Sequence, residues 1–133
     1  MSIREFADKY IKAQEEAWSA GEFEALEKLE DRNVIYHLFA VGQETAGWEA
    51  HKQYILAIQR AIPGVRSEWQ YLTGDGNVFA LSLKMSGGRF TGQIPGLPPP
   101  TGKEVVVNSL FVFLLKQGKI VEAWDNGTIT GLT

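Results

Sequence analysis

Asp125 is the residue best suited to acid–base chemistry, because it closes an otherwise largely apolar segment, Ile120–Asp125. Alternation along a strand predicts one face with Val121, Ala123 and Asp125, and another with Ile120, Glu122 and Trp124. If the Asp125 face lines a cavity, loss of water raises the pKa of the carboxyl, which suits a general base acting near neutral pH. The alternative is a strand-end carboxylate that faces water or caps the following turn.

The two histidines also stand among apolar residues. His37, beside Tyr36, is either a hydrogen-bond donor or proton shuttle in a pocket, or a core histidine satisfied by the backbone. His51 lies on the apolar stripe of a predicted helix, where a hydrogen-bonded core histidine is the simpler interpretation and a pocket residue the alternative. Two histidines and a carboxylate are a known metal-ligand set. However, neither an HxH nor an HxxxH spacing occurs, so we predict no metal site.

Composition excludes several other classes of function. The chain has no cysteine, which excludes a disulfide framework, a thiolate nucleophile and a cysteine-ligated metal. The net charge of -3, with basic residues spread along the chain, disfavours a nucleic-acid surface. Neither a phosphate-binding GxGxxG motif nor a GxSxG nucleophile elbow is present. No signal peptide or membrane-spanning stretch is evident, so we expect a cytoplasmic protein that does not bind membranes.

Three helices are predicted in the first half of the chain. The first follows Ser2 and Glu5, which match a capping box, and ends at Gly21. A short second helix covers Phe23–Leu29. The third starts at Trp48, carries apolar residues at steps of three and four, and stops before Pro63-Gly64.

The rest of the chain has the pattern of β-strands. Five strands are predicted: Val34–Phe39, Val65–Thr73, Asn77–Met85, Glu104–Leu115 and Lys119–Asn126. Between the elements we predict a loop at Gly42–Gly47, a turn at Gly74–Gly76, a bulge or bend at Gly87-Gly88 and a loop at Pro95–Pro100. No element is predicted in the tail that follows Asn126. Helices followed by mostly antiparallel strands indicate one α+β domain over residues 1–133, with the helices packed on a curved sheet around a small-molecule pocket. Because Val105–Leu115 is apolar on both faces, a second subunit is the simplest cover for the outer face, and we expect a homodimer.

Several segments together resemble the SnoaL-like polyketide cyclases. They are the Gly/Pro loop Gly92–Lys103, the closing strand Gly118–Asp125, and the shorter stretches Ala17–Glu22, Val34–His37 and Gly47–Ala50. That family belongs to the nuclear-transport-factor-2-like superfamily. The resemblance implies a cystatin-like cone of three helices on a strongly curved sheet around a pocket, often dimeric through the sheet.

The resemblance also implies residue roles. Asp125 takes the position of the family's acid/base in an intramolecular aldol step, and His37 takes a further polar pocket position. Phe111 stands where those enzymes carry a histidine, and it cannot move a proton. The implied activity is an aldol-type cyclisation, isomerisation or dehydration of an apolar, polyketide-like carbonyl compound, without a cofactor, because pocket dipoles can stabilise an enolate.

Aromatic side chains are the candidate walls of the pocket. We expect Tyr10, Trp18 and Phe111 to contact an apolar or aromatic ligand, with His51 as a further pocket residue. Equally, aromatic residues at these spacings can simply fill a core. The alternative to an enzyme is therefore a non-catalytic module of the same fold, which binds an apolar ligand or acts as a dimeric interaction platform.

Overall fold

A computed structural model describes residues 1–133. Its elements, in chain order, are α1 (Ile3–Ala20), α2 (Glu24–Leu29), β1 (Glu30–Leu38), β2 (Gln43–Ala46), α3 (Trp48–Ala61), β3 (Arg66–Asp75), β4 (Val78–Arg89), β5 (Glu104–Lys116) and β6 (Lys119–Thr130). No helix is long and apolar enough to cross a membrane.

The six strands form one curled sheet in the order β2-β1-β6-β5-β4-β3. All neighbours are antiparallel except β1 and β6, which pair in parallel and place Leu38 beside Asp125. The three helices precede most of the sheet and pack on its inner face. The predicted α+β class, with three helices packed on a mostly antiparallel sheet, is confirmed.

The first helix forms for the reason that its sequence indicates. The Ser2 hydroxyl accepts from the Glu5 backbone N–H at 3.1 Å, and Glu5 accepts from the Ser2 backbone N–H at 3.2 Å. Both bonds satisfy N–H groups that lack partners at a helix start. Gly21 ends the helix in the left-handed region, at φ 67°. The buried face of α1 includes Phe6 and Tyr10, which pack against Phe79 of β4.

The packed core and the empty space occupy different halves of the sheet. Phe79 and Phe113 stack at 5.1 Å near one end of the β4–β5 pair, and both are almost fully buried. Toward the other end of β5, from Phe111 back to Val105, the inner face borders a cavity. The same sheet therefore forms one wall of the core and one wall of the cavity.

Several element boundaries differ from the sequence-based prediction. Residues 43–46, predicted as loop, form the short polar strand β2, because its backbone pairs with β1 although its side chains show no apolar alternation. The third helix ends at Ala61, β1 begins earlier at Glu30, and the β3–β4 turn falls at Gly76-Asn77. Strand β6 continues to Thr130, because backbone pairing with β5 needs no apolar side chain.

Two irregularities change which side chains face inward. The bulge predicted at Gly87-Gly88 is present, as a register shift between Met85 and Gly88. A second shift, opposite Leu114 and Leu115, lies early in β6. It turns Ile120 into the core, fully buried, so the prediction that Ile120 shares a face with Glu122 was wrong.

Candidate active-site cavity

An apolar cavity lies between the inner face of the sheet and the ends of α1 and α3. Sixteen of its eighteen lining residues are hydrophobic, and the other two are Ser109 and Asp125. No Lys, Arg or His side chain lines it. The cavity can therefore hold a neutral, apolar molecule and offers that molecule few polar contacts.

Asp125 is the acidic group of this cavity. It sits on β6 between Leu38 of β1 and Phe111 of β5, and only 8% of it is exposed. Its Oδ1 atom has no hydrogen-bond partner in the protein. Burial raises the pKa of the carboxyl, and the backbone N–H groups of Ala40 and Phe39 partly offset that rise. A buried carboxyl with one free oxygen is suited to exchange a proton with a bound molecule.

Tyr54 of α3 is the second group that can exchange hydrogen bonds with a ligand. Burial, followed by the negative charge of Asp125, raises the pKa of its hydroxyl well above the ordinary value. The hydroxyl therefore stays protonated near neutral pH, and it can donate to an oxygen on which negative charge develops.

Ser109 is the remaining polar residue of the lining. It lies on the inner face of β5, two residues before Phe111, and its buried Oγ has no partner. The residue opposite it on β6 is Gly127. A Cβ atom at Gly127 would lie 2.6 Å from Ser109 Cα and 2.8 Å from Ser109 Oγ, so only glycine permits this close approach of the strands.

Two of the predicted wall residues, Trp18 and Phe111, are in the cavity lining. The Gln59 side chain fixes the end of α1 that carries Trp18, by donating to the carbonyls of Ala17 and Trp18 at 2.9 and 2.8 Å. The ring of Phe111 packs 5.2 Å from Trp69 and lies directly across the β5–β6 pair from Asp125. It excludes water from the carboxyl rather than exchanging a proton with it.

Tyr10 and His51 are not in the cavity lining, which corrects their assignment as substrate-binding residues. Both are buried in a separate polar cluster around Glu30. Its carboxylate accepts from the Tyr10 hydroxyl at 2.5 Å and from the Tyr36 hydroxyl at 2.6 Å, and its other oxygen lies 2.7 Å from His51 Nδ1. Burial and the negative charge of Glu30 raise the pKa of both tyrosines, which therefore remain donors.

The strand geometry separates His37 from the cavity. Inward positions of β1 are taken by Tyr36 and Leu38, so His37 points to the outer face. There its Nδ1 lies 2.7 Å from Glu44 and its Nε2 lies 2.6 Å from Glu122. These bonds, with Glu122 first, raise the pKa of the imidazole. The prediction that His37 joins Asp125 in one pocket was wrong, and no group of three metal-binding side chains is formed.

Sequence reasoning missed Tyr54, Ser109 and Glu30. Tyr54 follows His51 by three residues on the same helix, so the apolar stripe of α3 contained a usable signal. Ser109 is a polar residue on the otherwise apolar inner face of β5, which is also visible in the sequence. Glu30 gives no such signal, because it follows a charged helical segment and only the fold turns it inward.

The cavity is small, with a volume of about 80 Å³. A cavity of ~150 Å³ holds benzene, and sites for drug-sized ligands begin at roughly 300 Å³. The cavity therefore matches a molecule of a few heavy atoms. Its irregular wall segments, which contribute Val41, Ile94 and Leu97, are the parts whose movement would enlarge it.

Solved structures share this fold. A candidate SnoaL-like polyketide cyclase from Jannaschia sp. CCS1 matches with a TM-score of 0.78 and 17% identity, covering 96% of this chain and 89% of that one. IdmH, a candidate polyketide cyclase from Streptomyces antibioticus, matches with a TM-score of 0.71 and 22% identity over 92% and 91%. AclR, a candidate hydroxylase from Streptomyces galilaeus, matches with a TM-score of 0.74 and 18% identity over 98% and 83%.

Sequence comparison gives the family itself. No curated protein sequence matches this chain. The sequence profile of the SnoaL-like polyketide cyclases matches residues 9–127, which is most of the chain. The resemblance noted in the loop and the closing strand thus extends through helices and sheet alike, and the chain belongs to the SnoaL-like polyketide cyclase family.

Proposed function

We propose that this protein is a cyclase- or isomerase-type enzyme that moves a proton at the carbon beside a carbonyl group. The observation that carries the proposal is the buried Asp125 carboxyl, whose Oδ1 has no protein partner and borders an apolar cavity. A desolvated carboxylate is a stronger base than one in water, because burial disfavours its charge.

The residues divide the reaction between them. Asp125 takes the proton from carbon, and the electron pair of the broken C–H bond forms an enolate. The protonated Tyr54 hydroxyl donates to the enolate oxygen as its charge grows. In an aldol step the enolate carbon then bonds to a second carbonyl carbon, and Asp125 returns the proton to the resulting alkoxide. In an isomerisation Asp125 returns the proton to a different carbon.

The lining also limits the substrate. Because no cationic side chain borders the cavity, a bound carboxylate or phosphate would have no counter-charge, and we propose a neutral substrate. The volume favours a short chain or single ring. A polycyclic polyketide needs outward movement of the segments that hold Val41, Ile94 and Leu97.

The test uses small neutral ketones, the class that the apolar lining favours: pentan-2-one, 4-hydroxybutan-2-one and cyclopentanone. Exchange of their α-protons in D₂O, followed by ¹H NMR, reports proton abstraction without knowledge of the natural product. We expect exchange by the wild-type protein to fall by at least about 100-fold in Asp125→Asn, the loss typical of a removed general base. Asp75→Asn, at the exposed end of β3, is the control and should retain exchange. Equal rates in wild type and Asp125→Asn would refute the assignment.

A second candidate function is ligand binding without chemistry. The observation in its favour is Phe111, which places an inert ring opposite Asp125 and leaves a single acidic group in the lining. This function predicts ketone binding that survives Asp125→Asn and no α-proton exchange by either protein.

We further propose that two copies pair through the outer face of the sheet. Four apolar residues are exposed there, Leu72 at 48%, Val78 at 38%, Leu110 at 56% and Val112 at 39%. A second copy would cover this face, as the two-sided apolar pattern of β5 predicts. Light scattering should give a dimer mass for the wild type and a monomer mass for the double variant Leu110→Lys/Val112→Lys. The control Gln53→Lys, at an exposed position of α3, should remain a dimer. A monomeric wild type would refute the pairing.

A further inference from the structure

Ser109 has an unusual position for a hydroxyl in a protein interior. Only 5% of the residue is exposed, and its Oγ has no hydrogen-bond partner. A buried hydroxyl without a partner is costly, and most such groups in folded proteins are paired. The local structure maintains this position, because the strands approach closely at Gly127.

The second unpartnered atom of the same cavity is Asp125 Oδ1. Phe111 faces Asp125 across the β5–β6 pair, and Ser109 faces Gly127. Ser109 and Asp125 are therefore diagonal neighbours on adjacent strands, with Cβ atoms roughly 7 Å apart or less. Ser109 Oγ and Asp125 Oδ1 do not bond each other, since neither of these two atoms has a partner. One small molecule bound in the cavity can contact both atoms.

We propose that Ser109 is a ligand-binding residue that recognises a second oxygen of the substrate, so that the natural ligand is a neutral 3-hydroxy ketone or 1,3-dicarbonyl compound rather than a simple ketone. This inference rests on the proposed function for the identity of the reacting carbon. The carbon between two oxygen-bearing groups lies toward Asp125, while the second oxygen bonds the Ser109 hydroxyl. A ligand of this class places its acidic C–H against Asp125 Oδ1 and its second oxygen against the Ser109 hydroxyl, whereas a simple ketone leaves that hydroxyl unpaired.

The test compares two probes of equal size. 4-Hydroxybutan-2-one and pentan-2-one each have six heavy atoms and differ by a hydroxyl in place of a methyl group. Ligand-observed NMR titration gives the ratio of their dissociation constants. In the wild type, this ratio should favour the hydroxy ketone by about fivefold more than in Ser109→Ala, the value of one hydrogen bond. The affinity for pentan-2-one should not change.

Matched measurements make the outcome decisive. Ser82→Ala removes a hydroxyl from the outer face of neighbouring β4 and should leave the ratio unaltered. Ser109→Ala should unfold at the same urea concentration as the wild type or a higher one, because the hydroxyl has no protein partner to lose. An unchanged ratio in Ser109→Ala, or a clear loss of its stability, would overturn the proposal.

The proposed function and the role of Ser109 can be refuted independently of each other. If α-proton exchange is independent of Asp125 while the ratio depends on Ser109, only the reaction is wrong. If exchange requires Asp125 while the ratio ignores Ser109, only the recognition of a second oxygen is wrong.

Discussion

Replacing Glu30 with leucine removes the carboxylate that accepts from three buried donors. They are the hydroxyls of Tyr10 and Tyr36 and the Nδ1 atom of His51, all at 2.5 to 2.7 Å. Glu30 itself is 1% exposed, so water cannot replace the lost acceptor. A buried donor left without its acceptor typically costs about 1–3 kcal/mol, so we expect the loss of this shared acceptor to cost about 3 kcal/mol or more. Against a total stability of ~5–15 kcal/mol, that loss is large.

Replacing Glu30 with glutamine should lower the free energy of unfolding much less than replacing it with leucine. Its carbonyl oxygen can accept from both tyrosines, and its amide can donate to His51 Nδ1 once the imidazole proton moves to the other nitrogen. We expect Glu30→Gln to lose about 1 kcal/mol, comparable to one imperfect hydrogen bond. The contrast between leucine and glutamine separates lost hydrogen bonding from altered packing.

Urea unfolding followed by tryptophan fluorescence measures both variants, with the slope m checked for constancy. Glu27→Leu, on the exposed side of α2, is the matched control and should change stability by less than about 0.5 kcal/mol. Adding Tyr10→Phe and Tyr36→Phe to Glu30→Leu should restore part of the loss, because two orphaned donors disappear. A Glu30→Leu variant as stable as the wild type would refute the account of the cluster.

Three further predictions concern other sites. Because burial raises the pKa of Asp125, the folded state binds the carboxyl proton more tightly than the unfolded state, and the free energy of unfolding falls as pH rises above ~3.9 toward the raised pKa. Urea unfolding should therefore show Asp125→Asn more stable than the wild type at pH 7, with no difference at pH 3. The pKa of His37 is raised chiefly by Glu122, so the contribution of His37 to stability is complete below pH ~6.5 and is lost as pH rises above its pKa in the folded state. His37→Gln should therefore destabilise the protein at pH 6 and have almost no effect on stability at pH 9. Gly127→Ala would place a Cβ 2.1 Å from the Asn108 carbonyl oxygen and should cost about 2–3 kcal/mol in thermal or urea unfolding.

The fold was largely predictable because periodic segments carry its signal. The capping box at Ser2 and Glu5, the stripe of α3 and the two-sided apolar pattern of β5 each specify an element locally. Strand β2 was missed because its four residues pair by backbone alone. The inward turn of Ile120 depends on a bulge that no local pattern indicates.

The cavity was predictable only in part. Asp125, Trp18 and Phe111 border it, since strand alternation and helix ends determine where they face. His37 and Tyr36 are adjacent on β1 and therefore point to opposite faces of the sheet. The prediction assigned His37 to the inner face, whereas its side chain lies on the outer surface. Tyr10 and His51 face inward, but they meet Glu30, a partner brought to them by the start of β1.

The parallel pairing of β1 with β6 has a consequence for the order of assembly. Leu38 and Asp125 lie side by side in space but 87 positions apart along the chain (125 − 38). Such contacts require a long loop to close and tend to form slowly. The cavity is therefore enclosed only once both ends of the chain have met, whereas the β3–β4 hairpin and α1 can form from nearby residues. A ligand held there binds the completed fold alone and stabilises it by mass action, so it should slow unfolding more than it speeds folding.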